Sequence, residues 1–339
     1  MVSLVDGQVY KKLALRTAPN PLRSFNQRGA HSWRTNHIFG DPNMASAELK
    51  TVIDMLRAAP MMAGNDPLEL RAGMAAATAL APPPTNATVT LVDAGGAPAE
   101  WTDADGVSDD AAIVYLHGGG YIMGNLDSHR RLVANLSEAS GIRALSVDYG
   151  LAPENVFPKA VEDAVNAVQY VHAQGIAPER VIIAGDSAGG GLTAATLLAL
   201  RDRGIGQAAA GVLISPWLDL TQSGETMDSL ADADPMVSRQ LLNLCTDAYL
   251  AGQNPQTPLA SPLFADLAGL PPLLIHVGTA ETLLDDARRF NEAARKAGVT
   301  TTLEEWDDMI HVWHTFAGML PEAQTAIDRV GSFIKEQLS

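Results

Sequence analysis

The sequence predicts an α/β protein built on a mostly parallel sheet with helices on both faces. Two observations carry that prediction. From about residue 86 onward, short apolar runs alternate with amphipathic stretches long enough for three or four helical turns, the pattern of repeated βαβ units. The inner runs, such as Val181-Ile182-Ile183-Ala184, are continuously apolar rather than alternating, as strands covered on both faces must be.

Taken in chain order, residues 1–85 differ in character from the rest. Apolar residues three and four apart predict helices over 45–59 and 67–80. Pro82-Pro83-Pro84 then stops any helix and reads as a linker. This segment is expected to be helical cap material. Strands are predicted over 88–92, 111–116, 143–149, 180–184, 211–215, 273–277 and 301–306, the last two-sided because Leu303 alternates with Glu304 and Glu305. Helices are predicted over 126–140, 158–174, 188–203, 283–297 and 322–337. Between Trp217 and about Leu263 the alternation stops. That stretch is polar over 221–234 and helical over 237–250, as expected of an insertion between two strands that joins the N-terminal region in a cap. The expected organisation is thus a cap segment (1–85), a catalytic core (86–216), a cap insertion (217–263) and the remainder of the core (264–339).

A length of 339 residues suits two units, or one large α/β domain with an added cap. Apolar residues make up 47%, ample for a sizeable core. The formal charge of −16, from 23 basic and 39 acidic residues, argues against nucleic acid or an anionic membrane surface as partner. One cysteine, Cys245, cannot form an intrachain disulfide and gives no sign of an oxidising compartment. Residues 1–15 lack the long apolar core of a signal peptide, and no stretch approaches the ~18 apolar residues of a spanning helix. The expectation is a cytoplasmic protein without membrane insertion; a homo-oligomer is compatible with it.

Gly185-Asp186-Ser187-Ala188-Gly189 matches G-x-S-x-G between an apolar strand and a helix rich in Ala and Leu. A sharp strand-to-helix turn there strains the serine backbone and exposes its Oγ at the carboxyl end of the sheet. The bland alternative is a serine capping a helix in a tight turn. A second motif weighs against it: His117-Gly118-Gly119-Gly120 directly follows the strand 111–116. Three consecutive glycines cost backbone entropy, and close approach of bare N–H groups to a developing negative charge is what would offset it. The N–H groups of Gly119, Gly120 and Ala188 are expected to form an oxyanion hole, with Gly118 less well placed and His117 holding the loop. A phosphate-binding loop is excluded, since neither G-x-x-x-x-G-K-[ST] nor G-x-G-x-x-G is present here.

These motifs predict the α/β-hydrolase fold, in which the chain order is serine, acid, histidine. Of eight histidines, only His311 and His314 follow a suitable acid beyond Ser187. His311, in a loop five residues past the strand 301–306, is the expected general base. His276 sits inside an apolar strand and reads as a core residue. The acid should lie just beyond the strand 273–277, where Glu281 and Asp285 both stand. Thr282-x-x-Asp285 resembles a capping box, and a carboxylate in a first helical turn suits the helix dipole. Glu281 is therefore preferred as the orienter of His311, with Asp285 the alternative. No metal or cofactor is expected: there is no H-E-x-x-H and no paired cysteines.

His117-Gly118-Gly119-Gly120-Tyr121, Tyr149-x-Leu151-Ala152-Pro153-Glu154 and Gly185-Asp186-Ser187-Ala188-Gly189-Gly190 together resemble the microbial hormone-sensitive-lipase-like esterases, also called family IV. The likeness runs from about Ala111 to the C-terminus. That family writes its acid as D-P-L-R-D, first Asp catalytic, with the histidine 30 residues later. Laid on this chain, the first position is Glu281 and the last Asp285, and 311 − 281 = 30. Gly150 stands where the family's Y-R-L-A-P-E has arginine. The resemblance implies a carboxylic ester hydrolase for small-molecule esters with short to medium acyl chains, a cap that limits acyl length, and an Asp186 that holds the turn at the nucleophile. Tyr121 and Trp217 are candidates for the pocket wall, though aromatic residues more often simply pack. A receptor without turnover, as in the gibberellin receptors that resemble this family, is the competing class. Those lose the catalytic histidine, whereas this chain offers His311.

Overall fold

The computed structural model describes residues 46–58, 64–79 and 83–339, so much of the expected N-terminal cap segment lies outside the described residues. Helices α1 (Ala47–Ala58) and α2 (Pro67–Thr78) precede strands β1 (Ala87–Asp93), β2 (Pro98–Ala104) and β3 (Ser108–Leu116). Then come α3 (Leu126–Ser140), β4 (Ile142–Val147), α4 (Lys159–Ala173), β5 (Val181–Asp186), α5 (Ala188–Asp202) and β6 (Ala210–Ile214). The chain continues through α6 (Thr226–Ser229), α7 (Arg239–Leu250), β7 (Leu273–Gly278), α8 (Leu284–Lys296), β8 (Thr301–Trp306) and α9 (Pro321–Gln337).

The described strands form one sheet in the order β1-β2-β4-β3-β5-β6-β7-β8. Only the β1–β2 and β2–β4 pairs are antiparallel; the neighbours from β4 to β8 are parallel. The period-2 alternation of a strand divides β3 between two cores. Ala112, Val114 and Leu116 join the apolar cluster with α4, α5 and α8, while Ala111, Ile113 and Tyr115 join the one with α3 and α9. Every residue of β5, β6 and β7 is buried, which is why those strands read as almost wholly apolar, with His276 in β7 and Asp186 at the end of β5 the exceptions. β8, at the sheet edge, departs from the expected alternation: Glu304 is fully buried between His276 and Arg329 of α9, while Leu303 is only part-buried.

The sequence reading missed β2. Its Pro-Ala-Glu-Trp-Thr-Asp-Ala lacks an apolar run, yet Glu100 is fully buried. Arg130 of α3 makes that burial tolerable, donating from Nε and Nη2 to the two Glu100 oxygens at 2.8 and 2.7 Å. Arg143 of β4 lies over the Trp101 ring, 3.9 Å from its centroid.

Helix α1 buries Leu49, Val52 and Leu56 against Trp306, Trp313 and Ala323. Each such aliphatic side chain contributes on the order of 2 kcal/mol through burial. Asp66 caps α2 by accepting from Leu68 N and Glu69 N at 2.8 and 3.1 Å, and Pro67 opens the helix. Arg71 of α2 donates to Ile122 O, Ala152 O and both Glu154 oxygens. It thereby grips the segment that follows Gly150. The stretch between β6 and β7 holds α6 and α7, and α7 meets α2.

The capping box expected at Thr282-x-x-Asp285 does not form. Helix α8 begins at Leu284 with no side-chain cap. Asp285 instead accepts from Thr226 N at 3.1 Å, and Thr282 donates from its hydroxyl to Asp234 at 3.1 Å. Contacts with the stretch between β6 and β7 outcompete the local cap. No helix among the described residues is long and apolar enough to cross a membrane.

Candidate active site

Strand β5 delivers Ser187 to the carboxyl edge of the sheet at the first residue before α5, with φ 53° and ψ −120°. A non-glycine residue in that region costs on the order of 1–3 kcal/mol and persists only where its surroundings fix it. Here Ser187 N donates to Ile214 O at 2.8 Å, and Ser187 O accepts from Trp217 N at 2.9 Å and Gly191 N at 3.1 Å. The turn also needs Gly189, because a Cβ there would stand 1.9 Å from Leu116 O, a backbone atom with no freedom to withdraw.

The loop after β3 lies beside this turn. Gly118 N donates to Asp186 Oδ1 at 3.0 Å and is therefore engaged. Gly119 follows at φ +117°, where a side chain would meet Met123 O. Among the described residues no acceptor takes the Gly119 or Gly120 N–H, and the Ala188 N–H lies in the unsatisfied first turn of α5. Asp186 also accepts from Tyr115 OH at 2.6 Å and faces His129 Nε2 at 3.4 Å. Burial alone would raise this carboxyl, but the His129 charge and the hydrogen bonds from His129 and Tyr115 bring it down to about 2. An ionised Asp186 thus ties the glycine loop to the serine turn. His117 lies under the loop, its Nδ1 2.8 Å from Gly118 O and its ring stacked on Tyr149 at 4.3 Å. Burial, reinforced by the His129 charge, pushes its imidazole down to about 4, so it is neutral at pH 7.

His311 is buried in the loop after β8, and its Nδ1 lies 2.7 Å from Glu281 Oε2. A carboxylate only accepts, so Nδ1 carries the proton and Nε2 keeps a free lone pair. Burial on its own lowers the His311 pKa. The Glu281 hydrogen bond and charge, with the charges of Asp234 and Asp186, more than offset that and hold it above the ordinary value. Glu281 Oε1 accepts from Ser215 Oγ at 2.9 Å and Gly278 N at 2.5 Å. Asp285 turns away, to Thr226. His314, the other histidine considered, has Nε2 3.0 Å from His276 Nδ1; burial, with the His276 charge, drives its pKa well down. His276 is fully buried beside Glu304, as expected of a core residue.

A cavity of about 490 Å³, within the range of small-molecule sites, is lined by both Ser187 and His311 and by Gly119 and Gly120. Its apolar wall comes from Met74 of α2, Met236, Val237 and Leu241, with Cys245 of α7 against Gly120. Tyr121 and Trp217 are buried and pack rather than line it, Tyr121 stacking on Tyr249 at 3.9 Å. No group of three or more His, Cys, Asp or Glu among the described residues is arranged to hold a metal ion.

The family model for the alpha/beta hydrolase fold matches residues 113–315. An acetyl-hydrolase of Streptomyces hygroscopicus is 46% identical over 245 residues, 72% of this chain and 82% of that protein. The crystal structure of an esterase from the bacterial hormone-sensitive lipase family superposes with a TM-score of 0.84 at 45% identity, over 87% of this chain and all of that one. This chain belongs to the hormone-sensitive lipase family of α/β-hydrolases. It is an esterase. A second hormone-sensitive lipase, from a metagenome library, is 37% identical with a TM-score of 0.82, over 86% of this chain and 98% of that one.

Sequence reasoning passed over two polar residues that contact Glu281, the His311 loop or their neighbours. Ser215 directly follows β6 at φ 45°, accepts from Val312 N at 3.1 Å and donates to Glu281, so one hydroxyl joins the histidine loop to the carboxylate. Its only sequence signal is its place at the carboxyl end of a parallel strand, where such folds assemble their sites. Asp234 is the other; nothing in the polar stretch 221–234 sets it apart from its neighbours.

Proposed function

We propose that this esterase hydrolyses carboxylic esters with short to medium acyl chains through an acyl-enzyme on Ser187. The supporting observation is the 2.7 Å contact between His311 Nδ1 and Glu281, which leaves Nε2 free on a ring that lines the same cavity as Ser187. Ser187 Oγ attacks the ester carbonyl carbon while His311 Nε2 takes its proton. Charge that develops on the carbonyl oxygen is met by the N–H groups of Gly119, Gly120 and Ala188. The bond to the alcohol oxygen breaks, and His311 returns the proton to it. Water, deprotonated by the same nitrogen, then attacks the acyl-enzyme and releases the acid and free Ser187. Glu281 keeps the imidazole in the required tautomer and stabilises the imidazolium. In this reading the described helices α1 and α2 and residues 217–263 belong to a cap over a core of 86–216 and 264–339, and the apolar wall from α2 and 236–245 sets acyl length.

A chain-length series of p-nitrophenyl esters tests the assignment. kcat/KM is expected to be greatest for acetyl to hexanoyl esters and to fall steeply for chains longer than the cavity accommodates. Stoichiometric binding of these esters with no nitrophenol released would overturn it.

A further inference from the structure

We infer that Asp234 is a positioning residue, one carboxylate that clamps the apolar wall of the pocket to the segment bearing Glu281. The inference rests on the triad reading above and extends it to the inserted segment. Asp234 is buried, and each of its oxygens takes two hydrogen bonds. Oδ1 accepts from Met236 N and Val237 N, both at 2.9 Å. Oδ2 accepts from Thr282 N at 2.9 Å and from the Thr282 hydroxyl at 3.1 Å. Met236 and Val237 line the cavity, and Thr282 directly follows Glu281. Thr282 is held from its other side as well, its carbonyl accepting from Thr226 Oγ1 at 2.9 Å.

A buried carboxylate with four donors is a rigid and costly arrangement, retained only where those donors leave no lone pair unused. Asparagine keeps the shape but turns an NH₂ toward either Thr282 or the Met236 and Val237 amides, so it breaks one side of the clamp. It also removes a charge. The charged groups that bear on His311 are Glu281 from the loop after β7, Asp234 from the inserted segment and Asp186 from the serine turn. All three are acidic and favour the imidazolium. Loss of the Asp234 charge therefore makes the base easier to deprotonate, and the acid limb of kcat/KM moves to lower pH. A part that merely stiffened the fold would leave that limb where it is.

The experiment compares pH profiles of kcat/KM on p-nitrophenyl butyrate for wild type, Asp234→Asn and Thr282→Val, with Ser187→Ala in parallel. For Asp234→Asn the account expects at least a tenfold loss of kcat/KM at pH 8, carried partly by KM, and an acid limb at lower pH than wild type. Thr282→Val keeps the charge and the backbone donor. It is expected to lose on the order of fivefold in kcat/KM, the effect of one hydrogen bond, with its acid limb unmoved. An Asp234→Asn limb that overlays wild type overturns the inference. If that variant does not fold, Thr282→Val decides: wild-type kcat/KM there overturns it. Retained activity in Ser187→Ala would instead reject the triad reading on which it rests.

Discussion

Replacing Ser187 with alanine should abolish ester cleavage, lowering kcat on the order of 10⁶-fold, while leaving the thermal melt unchanged. The magnitude is that of removing the nucleophile from a triad whose members act as a unit. The melt follows from the local geometry. The hydrogen bonds that hold residue 187 at φ 53° all run through its backbone N–H and carbonyl, so alanine keeps them. The oxyanion donors and the cavity also remain, so substrate should still bind. Steady-state kinetics beside a melting curve make the check. Turnover within tenfold of wild type would mean that another group attacks the ester.

The second large effect separates the two carboxylates that sequence left open. Glu281→Gln should lower kcat by up to about 10⁴-fold. Its amide oxygen would be drawn to the two donors on Oε1, Ser215 Oγ and Gly278 N. The amide NH₂ would then face His311 Nδ1 and force that nitrogen to accept. The proton moves to Nε2, where a base can no longer take the serine proton. The pH profile carries an independent signature. In wild type the acidic neighbours hold His311 above its ordinary pKa, so kcat/KM falls away below that raised value. Without the Glu281 charge, burial prevails, the imidazole deprotonates more readily, and the surviving activity extends to lower pH. Asp285→Asn alters a carboxylate that accepts from Thr226 N rather than facing His311, and should leave kcat and the profile near wild type. Comparing the two variants across pH decides the matter, and a crippled Asp285→Asn beside an active Glu281→Gln would reverse the assignment.

What was legible in the sequence was whatever the chain must solve locally. The serine turn and the glycine loop write their demands in glycines, because backbone approaches backbone within a few residues of each motif. The inner strands announce themselves because burial on both faces leaves no room for polar residues. Strand β2 stayed hidden because its burial is licensed from elsewhere: Glu100 is acceptable inside only with Arg130 of α3 against it. Ser215 and Asp234 were invisible for the same reason, since each acquires meaning from partners tens of residues distant. Thr282-x-x-Asp285 shows the converse, a local signal that misled. Both residues spend their polar atoms on the segment between β6 and β7, and α8 starts without them.

Covalent attack by the Ser187 hydroxyl is the central step, and covalent trapping tests it most directly. A p-nitrophenyl dialkyl phosphate offers a phosphorus that the Ser187 oxygen attacks as nitrophenolate leaves, and the adduct hydrolyses slowly. Intact-mass analysis followed by peptide mapping should find a dialkylphosphoryl group on Ser187, formed as activity disappears and absent from Ser187→Ala. Inactivation with the label on any other residue, and Ser187 unmodified, would contradict it.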